Sequence, residues 1–131
     1  LIQPTIGVGK IKFGMTVQQM KEILGKPDVE ATGISYLYDS LGIEIIAMDK
    51  TTISHITCGN PSNSTDPKIK ALEQACKFKT AEGIGIGSTE SEIIEAFGRP
   101  TAHRNNRIMY KEKRIIFTLE NDKAIGISLQ K

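Results

Sequence analysis

Apolar residues recur three and four positions apart in two short segments of this chain, which is the spacing of an amphipathic helix. Residues 13–27 read FGMTVQQMKEILGKP and residues 86–100 read IGSTESEIIEAFGRP. Each segment predicts a helix of two to three turns, which packing rather than intrinsic propensity must stabilise. The apolar positions are Met20, Ile23 and Leu24 in the first segment and Ile93, Ala96 and Phe97 in the second.

Both predicted helices begin and end with the same kinds of residue. A Thr followed three positions later by Gln or Glu is a capping box, in which each side chain accepts from the other residue's backbone amide. A Gly then supplies a left-handed residue with positive φ, and a Pro two positions later prevents continuation of the helix. These residues are Thr16, Gln19, Gly25 and Pro27, and again Thr89, Glu92, Gly98 and Pro100.

Behind each helix, apolar residues alternate with polar ones, which is the period of a half-buried strand. The intervening turns are short, so the strands are expected to pair antiparallel. The predicted strands cover residues 34–38, 43–48 and 52–58 in the first half and 107–110, 115–120 and 124–129 in the second.

A shift of 73 residues superposes the two helix segments, and the strand regions follow with a slip of one residue. Such internal similarity predicts an α+β fold of two tandem helix–β-meander repeats, at about residues 6–58 and 80–129. Because each repeat alone would bury too little surface, both should share one antiparallel sheet, with helices packed on one face. Residues 1–131 then form a single domain, whose linker at about 59–79 contains a short helix predicted over 67–76.

Composition restricts the range of functions. Hydrophobic residues make up 39% of the chain and the net charge is only +2, which fits a globular protein and argues against nucleic acid as a partner. The charges are unevenly distributed, because residues 27–49 contain five acidic residues and no Lys or Arg, whereas residues 99–114 contain six basic residues and one Glu. This asymmetry indicates either two solvated faces or a polarised surface that orients a partner.

The sequence contains no recognisable catalytic or cofactor motif. The glycines at 83, 85 and 87 resemble a phosphate loop, but Ser88 stands where the dinucleotide fingerprint needs Gly, and a tight turn explains both helix starts. His55 and Cys58 would point to opposite faces of a strand and are not expected to bind one metal ion. His103 is expected in a solvated turn. We therefore expect no enzyme activity, cofactor or metal site.

Cys58 and Cys76 lie on either side of the polar linker. In an exported protein such a pair is commonly a disulfide, and in a cytosolic protein it is more often two free thiols. The spacing of the two residues permits a bridge and leaves both interpretations open.

Alternation along the predicted strands leaves apolar residues on the face of the sheet that points away from the helices, where an antiparallel sheet is normally polar. We expect this patch to contact another protein or a second copy of the chain if the two strands are neighbours, unless a loop or the linker helix covers it. The candidate contact residues are Ile46, Met48, Ile116 and Thr118, with Tyr38 and Tyr110 expected to flank them.

The two helix segments resemble the repeat signature of the β-lactamase inhibitory proteins and of the related outer-membrane assembly lipoproteins of the SmpA/OmlA type. The shared motif is Gly-x-Thr-x-x-Gln/Glu followed by Leu/Phe-Gly-x-Pro. The resemblance implies an extracytoplasmic bacterial protein, secreted or anchored to the envelope, that binds proteins with its exposed sheet face. This chain has no Trp, whereas the inhibitors use aromatic anchors, so no inhibitory residue is carried over.

The expected function is therefore a non-enzymatic protein-binding module, inhibitor-like or envelope-assembly-like. Its partner is expected to be another protein, with a homodimer as a further possibility. The alternative is a small-ligand-binding or accessory domain of a larger secreted protein. Because the sequence begins at Leu1 rather than Met, we expect the native start upstream, and membrane attachment only through a lipid anchor located there.

Overall fold

A computed structural model describes all 131 residues and has an α+β fold with two antiparallel sheets. The helices are α1 (Val17–Leu24), α2 (Pro67–Ala75) and α3 (Glu90–Phe97). The strands are β1 (Ile2–Gln3), β2 (Gly7–Val8), β3 (Ile11–Lys12), β4 (Val29–Ala31), β5 (Ser35–Tyr38), β6 (Ile43–Ile46), β7 (His55–Gly59), β8 (Ala102–Arg104), β9 (Arg107–Tyr110), β10 (Ile115–Glu120) and β11 (Lys123–Gln130). None of the helices is long and apolar enough to cross a membrane.

The larger sheet contains eight strands in the order β4-β5-β6-β7-β11-β10-β9-β8. Strands β4 to β7 and β8 to β11 each form a meander, and the two meanders meet where β7 pairs antiparallel with β11. Thr57 lies opposite Ser128 in the middle of this pairing. Strands β6 and β10 are therefore separated by two strands, so the condition that they be neighbours is not met.

A single hydrophobic core lies between the helices and one face of this sheet. Met20 of α1 and Ile93 of α3 are completely buried in the same cluster as Ile45, Ile56 and Phe117 of the sheet. Burying such side chains contributes roughly 1.5–3 kcal/mol each, so this shared core holds both short helices in place. The small sheet of β1, β2 and β3 adds Ile2, Val8 and Ile11 to the same cluster.

The predicted helix ends are present in atomic detail. Both capping boxes form, with Thr16 and Gln19 bonded reciprocally to each other's backbone amides, and Thr89 and Glu92 likewise. Gly25 and Gly98 both have φ 83°, as the sequence predicts, but ψ is −162° and −160°. These values lie outside the left-handed helical region and in a region that is essentially restricted to glycine.

The linker helix begins after Asp66, whose side chain accepts a hydrogen bond from the amide of Lys68. It ends one residue before Cys76, which forms a disulfide with Cys58 of β7. The Cα atoms of the two cysteines are 5.8 Å apart, and both side chains are buried. The bridge thus holds the end of α2 against the sheet.

Several strands carry no usable sequence pattern. The three N-terminal strands have only two residues each, which is too short to show an alternation of apolar and polar residues. Strand β4 shows no alternation because all three of its residues are exposed. His103 is exposed, as expected, but it lies on the short edge strand β8 rather than in a turn, and its Nε2 is 2.8 Å from a carboxylate oxygen of Glu90. Strand β6 also ends two residues earlier than predicted, before Met48.

The conformation of Gly98 gives a first prediction. Replacing Gly98 with Val should destabilise the fold by about 1–3 kcal/mol, because a side chain disfavours this backbone region. No atom lies within 4 Å of the added Cβ, so the cost should come from the backbone rather than from a clash. Urea denaturation measures the difference. Asn121→Gly, at φ 52°, is the control and should not destabilise. Equal stability of Gly98→Val and wild type would mean that the helix ends differently.

The disulfide gives a second prediction. Its cysteines are 18 residues apart, so replacing both with Ala should lower the free energy of unfolding by about 3 kcal/mol in the chain-entropy model. Urea denaturation of wild type in the presence of reductant should give a similar loss. Identical midpoints for oxidised and reduced wild type would contradict the stabilising role of the bridge.

Candidate functional site

The candidate site lies on the face of the large sheet that is turned away from the helices. The strand register brings one residue from each of six strands into a continuous row across this face. In spatial order the row is Leu37, Glu44, Thr57, Ser128, Ile116 and Met109. The first three residues of this row come from the first half of the chain and the last three from the second half. Both halves therefore contribute to the same surface.

A groove of about 770 Å³ runs along this face and is lined by residues of β6, β7, β11, β10 and β9. Six apolar residues contribute to its lining, and the three of them that are not buried are Ile46, Ile116 and Met109. Ile46 and Ile116 are half-buried and Met109 is exposed, so these side chains remain accessible from solvent. Such an apolar surface is unusual on the uncovered side of an antiparallel sheet.

Polar side chains occupy the middle of the groove. Thr57 and Ser128 face each other across the β7–β11 pairing, and His55 lies two residues before Thr57. The Nδ1 atom of His55 is 2.9 Å from the hydroxyl oxygen of Ser54. Neither a hydrogen bond nor an ion pair joins this histidine to a carboxylate, which leaves its ring available at the surface of the groove.

The turn between β9 and β10 forms a charged rim. It contributes Lys111, Glu112 and Arg114 to the groove lining, and all three are exposed. None of them belongs to any of the ion pairs in the structure. Arg114 has φ 50°, a left-handed conformation that most residues with a side chain avoid.

The linker covers the other end of the same face. Thr118 is 2% exposed, and its hydroxyl donates a hydrogen bond of 2.8 Å to the carbonyl oxygen of Pro61. The loop passes so close to Gly126 that a Cβ atom there would lie 2.2 Å from the Pro61 nitrogen. Thr118 was predicted as a contact residue, and this is wrong because a loop of the chain itself occupies its surface.

Among the other apolar candidates, Ile46 and Ile116 line the groove and Met48 does not. Met48 is 60% exposed beyond the end of β6. The adjoining turn is fixed by Asp49, whose carboxylate accepts hydrogen bonds from the amides of Thr51 and Thr52 and from the Thr52 hydroxyl. These bonds lower the pKa of Asp49 to about 2.

Tyr110 is among the residues that line the groove and Tyr38 is not, and the side chains of both tyrosines are buried. Both side chains point into the core, where their hydroxyls donate hydrogen bonds of 2.8 Å to the carbonyl oxygens of Gly25 and Gly98, respectively. Burial raises the pKa of both phenols. The tyrosines thus anchor the ends of α1 and α3 to the sheet.

Sequence reasoning missed Met109 and the polar centre of the groove, and it included Lys111 and Arg114 only as members of the basic stretch 99–114. The sequence RIMY has three consecutive apolar residues and so shows no alternation, whereas in the structure Ile108 and Tyr110 are buried and Met109 between them is exposed. The positions of the charged residues depend on the turn and had no periodic signal. Gly83, Gly85 and Gly87 lie in the connection to α3, and no three His, Cys, Asp or Glu side chains converge in a group that could hold a metal ion.

Residues 5–82 match a family model described as a domain of unknown function, DUF7738. Since the match spans more than half of the chain, the chain belongs to this family. No curated protein sequence matches it significantly.

Two solved structures share the fold. A DUF4309 family protein (YjgB) from Bacillus subtilis subsp. subtilis str. 168 is 15% identical over 95% of this chain and 81% of its own, with a TM-score of 0.55. An extracellular protein containing a SCP domain from Bacillus anthracis str. Ames is 9% identical over 90% of this chain and 43% of its own, with a TM-score of 0.53. At these identities the likeness shows the fold alone.

The position of Tyr110 gives a third prediction. Tyr110→Phe should cost about 1 kcal/mol of stability, because the hydrogen bond to Gly98 is lost. Burial raises the pKa of Tyr110 above its usual value of 10.0, so wild type should lose this stabilisation as the pH rises through the raised value, whereas the variant should not. Urea denaturation at neutral and alkaline pH measures both effects. An unchanged neutral-pH stability would contradict a structural role for this hydroxyl.

Proposed function

We propose that this DUF7738 member is a non-enzymatic protein-binding module that holds a segment of another protein in the groove of its large sheet. The observation that carries the proposal is the uncovered groove of about 770 Å³, with Ile46, Ile116 and Met109 accessible in it. Contiguous exposed apolar surface rimmed by polar residues is typical of interaction sites. Methionine in particular adapts to partners of varied shape.

The linker supports a polypeptide as the occupant. Its residues around Pro61 already lie on the covered end of the same sheet face, where the Pro61 carbonyl accepts from Thr118. The backbone of a loop therefore packs against this surface and accepts a hydrogen bond from a side chain of the sheet, the hydroxyl of Thr118. We infer that the uncovered end receives a comparable segment from another chain.

We further propose that the two halves are copies of one helix–β-meander unit. In support, each half places a capping box before its helix, a glycine with φ 83° after it, and a tyrosine that binds this glycine's carbonyl oxygen. A shift of 72 residues, which relates Tyr38 to Tyr110, also relates Ile46 to Thr118. Ile46 would then be the open counterpart of a position that the linker covers in the other half.

Export from a bacterial cell is part of the same proposal. It is supported by the Cys58–Cys76 disulfide, since such bonds persist in oxidising compartments. One of the two similar structures is described as an extracellular protein. The resemblance to the β-lactamase inhibitory proteins and the SmpA/OmlA lipoproteins points the same way and stays a prediction.

Binding of a small molecule is the second candidate. The groove volume of about 770 Å³ lies within the range of ligand pockets, roughly 300–1,000 Å³. Thr57, Ser128 and His55 would supply the polar groups that orient such a ligand. We favour a protein segment because the groove extends across five strands of an open sheet face.

Photocrosslinking tests the proposal and is the fourth prediction. Benzoylphenylalanine placed at position 116, in the organism that encodes the chain, should crosslink a specific protein. The same group at Ile23 should not, because Ile23 is an isoleucine on α1, outside the groove, with 42% of its surface exposed. The crosslinked protein is then purified, and its binding to wild type, Ile116→Glu and Ile23→Glu is measured by calorimetry.

Ile116→Glu should weaken binding of this partner by at least about tenfold, because burying an unpaired charge is costly, and Ile23→Glu should leave it unchanged. Equal crosslinking from both positions, or an affinity that Ile116→Glu does not change, would contradict the proposal. A small molecule that copurifies with wild type in native mass spectra and is lost in Ile116→Glu would favour the second candidate.

A further inference from the structure

We propose that the occupant of the groove is an acidic, extended peptide segment, whose apolar side chains contact Ile46, Ile116 and Met109 and whose carboxylates pair with Lys111 and Arg114. This inference rests on the proposed protein-binding function and specifies the chemistry of the partner. It depends on two features of the groove, which are its unpaired cations and its dimensions.

The two cations on the rim have no acidic partner. Lys111 and Arg114 are exposed beside the apolar part of the groove. Neither the Lys111 ammonium group nor the Arg114 guanidinium group takes part in an ion pair, and the hydrogen bond between Lys111 and the Thr101 hydroxyl comes from the backbone amide of Lys111. Lys113, which lies between them in sequence, is oriented differently, with its Nζ 5.7 Å from the centre of the Phe97 ring. A guanidinium group binds carboxylates through two parallel hydrogen bonds, which is why Arg114 fits an acidic partner.

The local charge around these cations is positive. Glu112 is the only acidic residue that lines the groove, and it lies between Lys111 and Lys113 in sequence. Arg107 is also exposed and shares a strand face with Met109, because the two residues are separated by one position on β9. A cluster of positive charge attracts acidic peptide segments and repels basic peptide segments.

The dimensions of the groove suit an extended chain. Ile46 on β6 and Met109 on β9 are separated by four steps between neighbouring strands. At about 4.8 Å per step this is roughly 19 Å, which about six residues of extended chain would span. A peptide of ten residues can therefore contact both apolar ends and the rim.

The conformation of Arg114 makes it a suitable position for a test, because glycine can adopt the same φ of 50° without strain. The turns before β9 and before β11 place Asn105 and Asn121 at φ 54° and 52°, whereas the turn before β10 places Arg114 at φ 50°. Asparagine tolerates this left-handed region better than most residues, and glycine adopts it without penalty. Arg114→Gly should therefore remove the guanidinium group without lowering the melting temperature.

The test, which is the fifth prediction, uses three fluorescein-labelled pools of ten-residue peptides. All pools alternate Ile, Val or Phe with a second residue type, which is Asp or Glu in the first pool, Ser or Thr in the second, and Lys or Arg in the third. Fluorescence anisotropy measures binding to the full chain at low and at physiological ionic strength. The acidic pool should bind at least about tenfold more tightly than the neutral pool, and added salt should reduce the difference.

Substitutions then assign the effect to the groove. Arg114→Gly should weaken binding of the acidic pool and leave binding of the neutral pool unchanged. Asn121→Gly is the control, because it also replaces a residue at a positive φ with glycine. Lys111→Glu with Arg114→Glu should reverse the preference toward the basic pool. Ile116→Ser should weaken binding of the acidic pool and of the neutral pool equally, because it removes apolar contact and leaves the charged rim unchanged.

The outcomes separate this inference from the function on which it rests. Equal binding of the acidic and neutral pools, with both weakened by Ile116→Ser, would overturn the acidic chemistry and support a peptide groove. Tighter binding of a labelled ten-nucleotide single strand than of the acidic pool would overturn the inference in favour of nucleic acid. Binding of no pool, or binding that no groove substitution affects, would overturn both proposals.

Discussion

Five pairs of residues join β7 to β11 at the centre of the large sheet, with Thr57 opposite Ser128 in the middle of the five. A single half of the chain supplies one four-stranded meander and one of the two capped helices, which is too little surface for a comfortable core. Pairing β7 with β11 places Ile56 beside Leu129 and Cys58 beside Ile127, so that all four are buried in one cluster. The groove also depends on this contact, because its lining crosses the junction between the halves.

The linker makes the two ends of the outer sheet face different. Its disulfide and its capped helix hold it against β7, and its loop lies over Thr118 and Gly126. One linker can cover only one end, and the surface of Ile46 and Ile116 is left open. The unpaired cations of the β9–β10 turn border this open end, so that apolar surface and positive charge lie next to each other in the groove.

Local features of the chain were predictable because their causes are local. The two capping boxes form because the first backbone amides of a helix need hydrogen-bond acceptors. The positive φ of Gly25 and Gly98 is predictable because this conformation is essentially restricted to glycine. Features that depend on distant residues were predicted less well. Thr118 has the alternation of an exposed residue, yet Pro61, which is 57 residues away in sequence, accepts its hydrogen bond.

The sequence by itself determined the positions of the three helices, the principal strands of both halves and the helix residues that face the core, such as Met20 and Ile93. These follow from periods of 3.6 and 2 and from caps, all of which act over a few residues. Only the tertiary structure decided the strand order, the orientation of Tyr38 and Tyr110, and the groove. Whether an outward-facing residue such as Ile116 stays open is determined by where the linker and the second half pack, because burial depends on contacts between segments that are far apart along the chain.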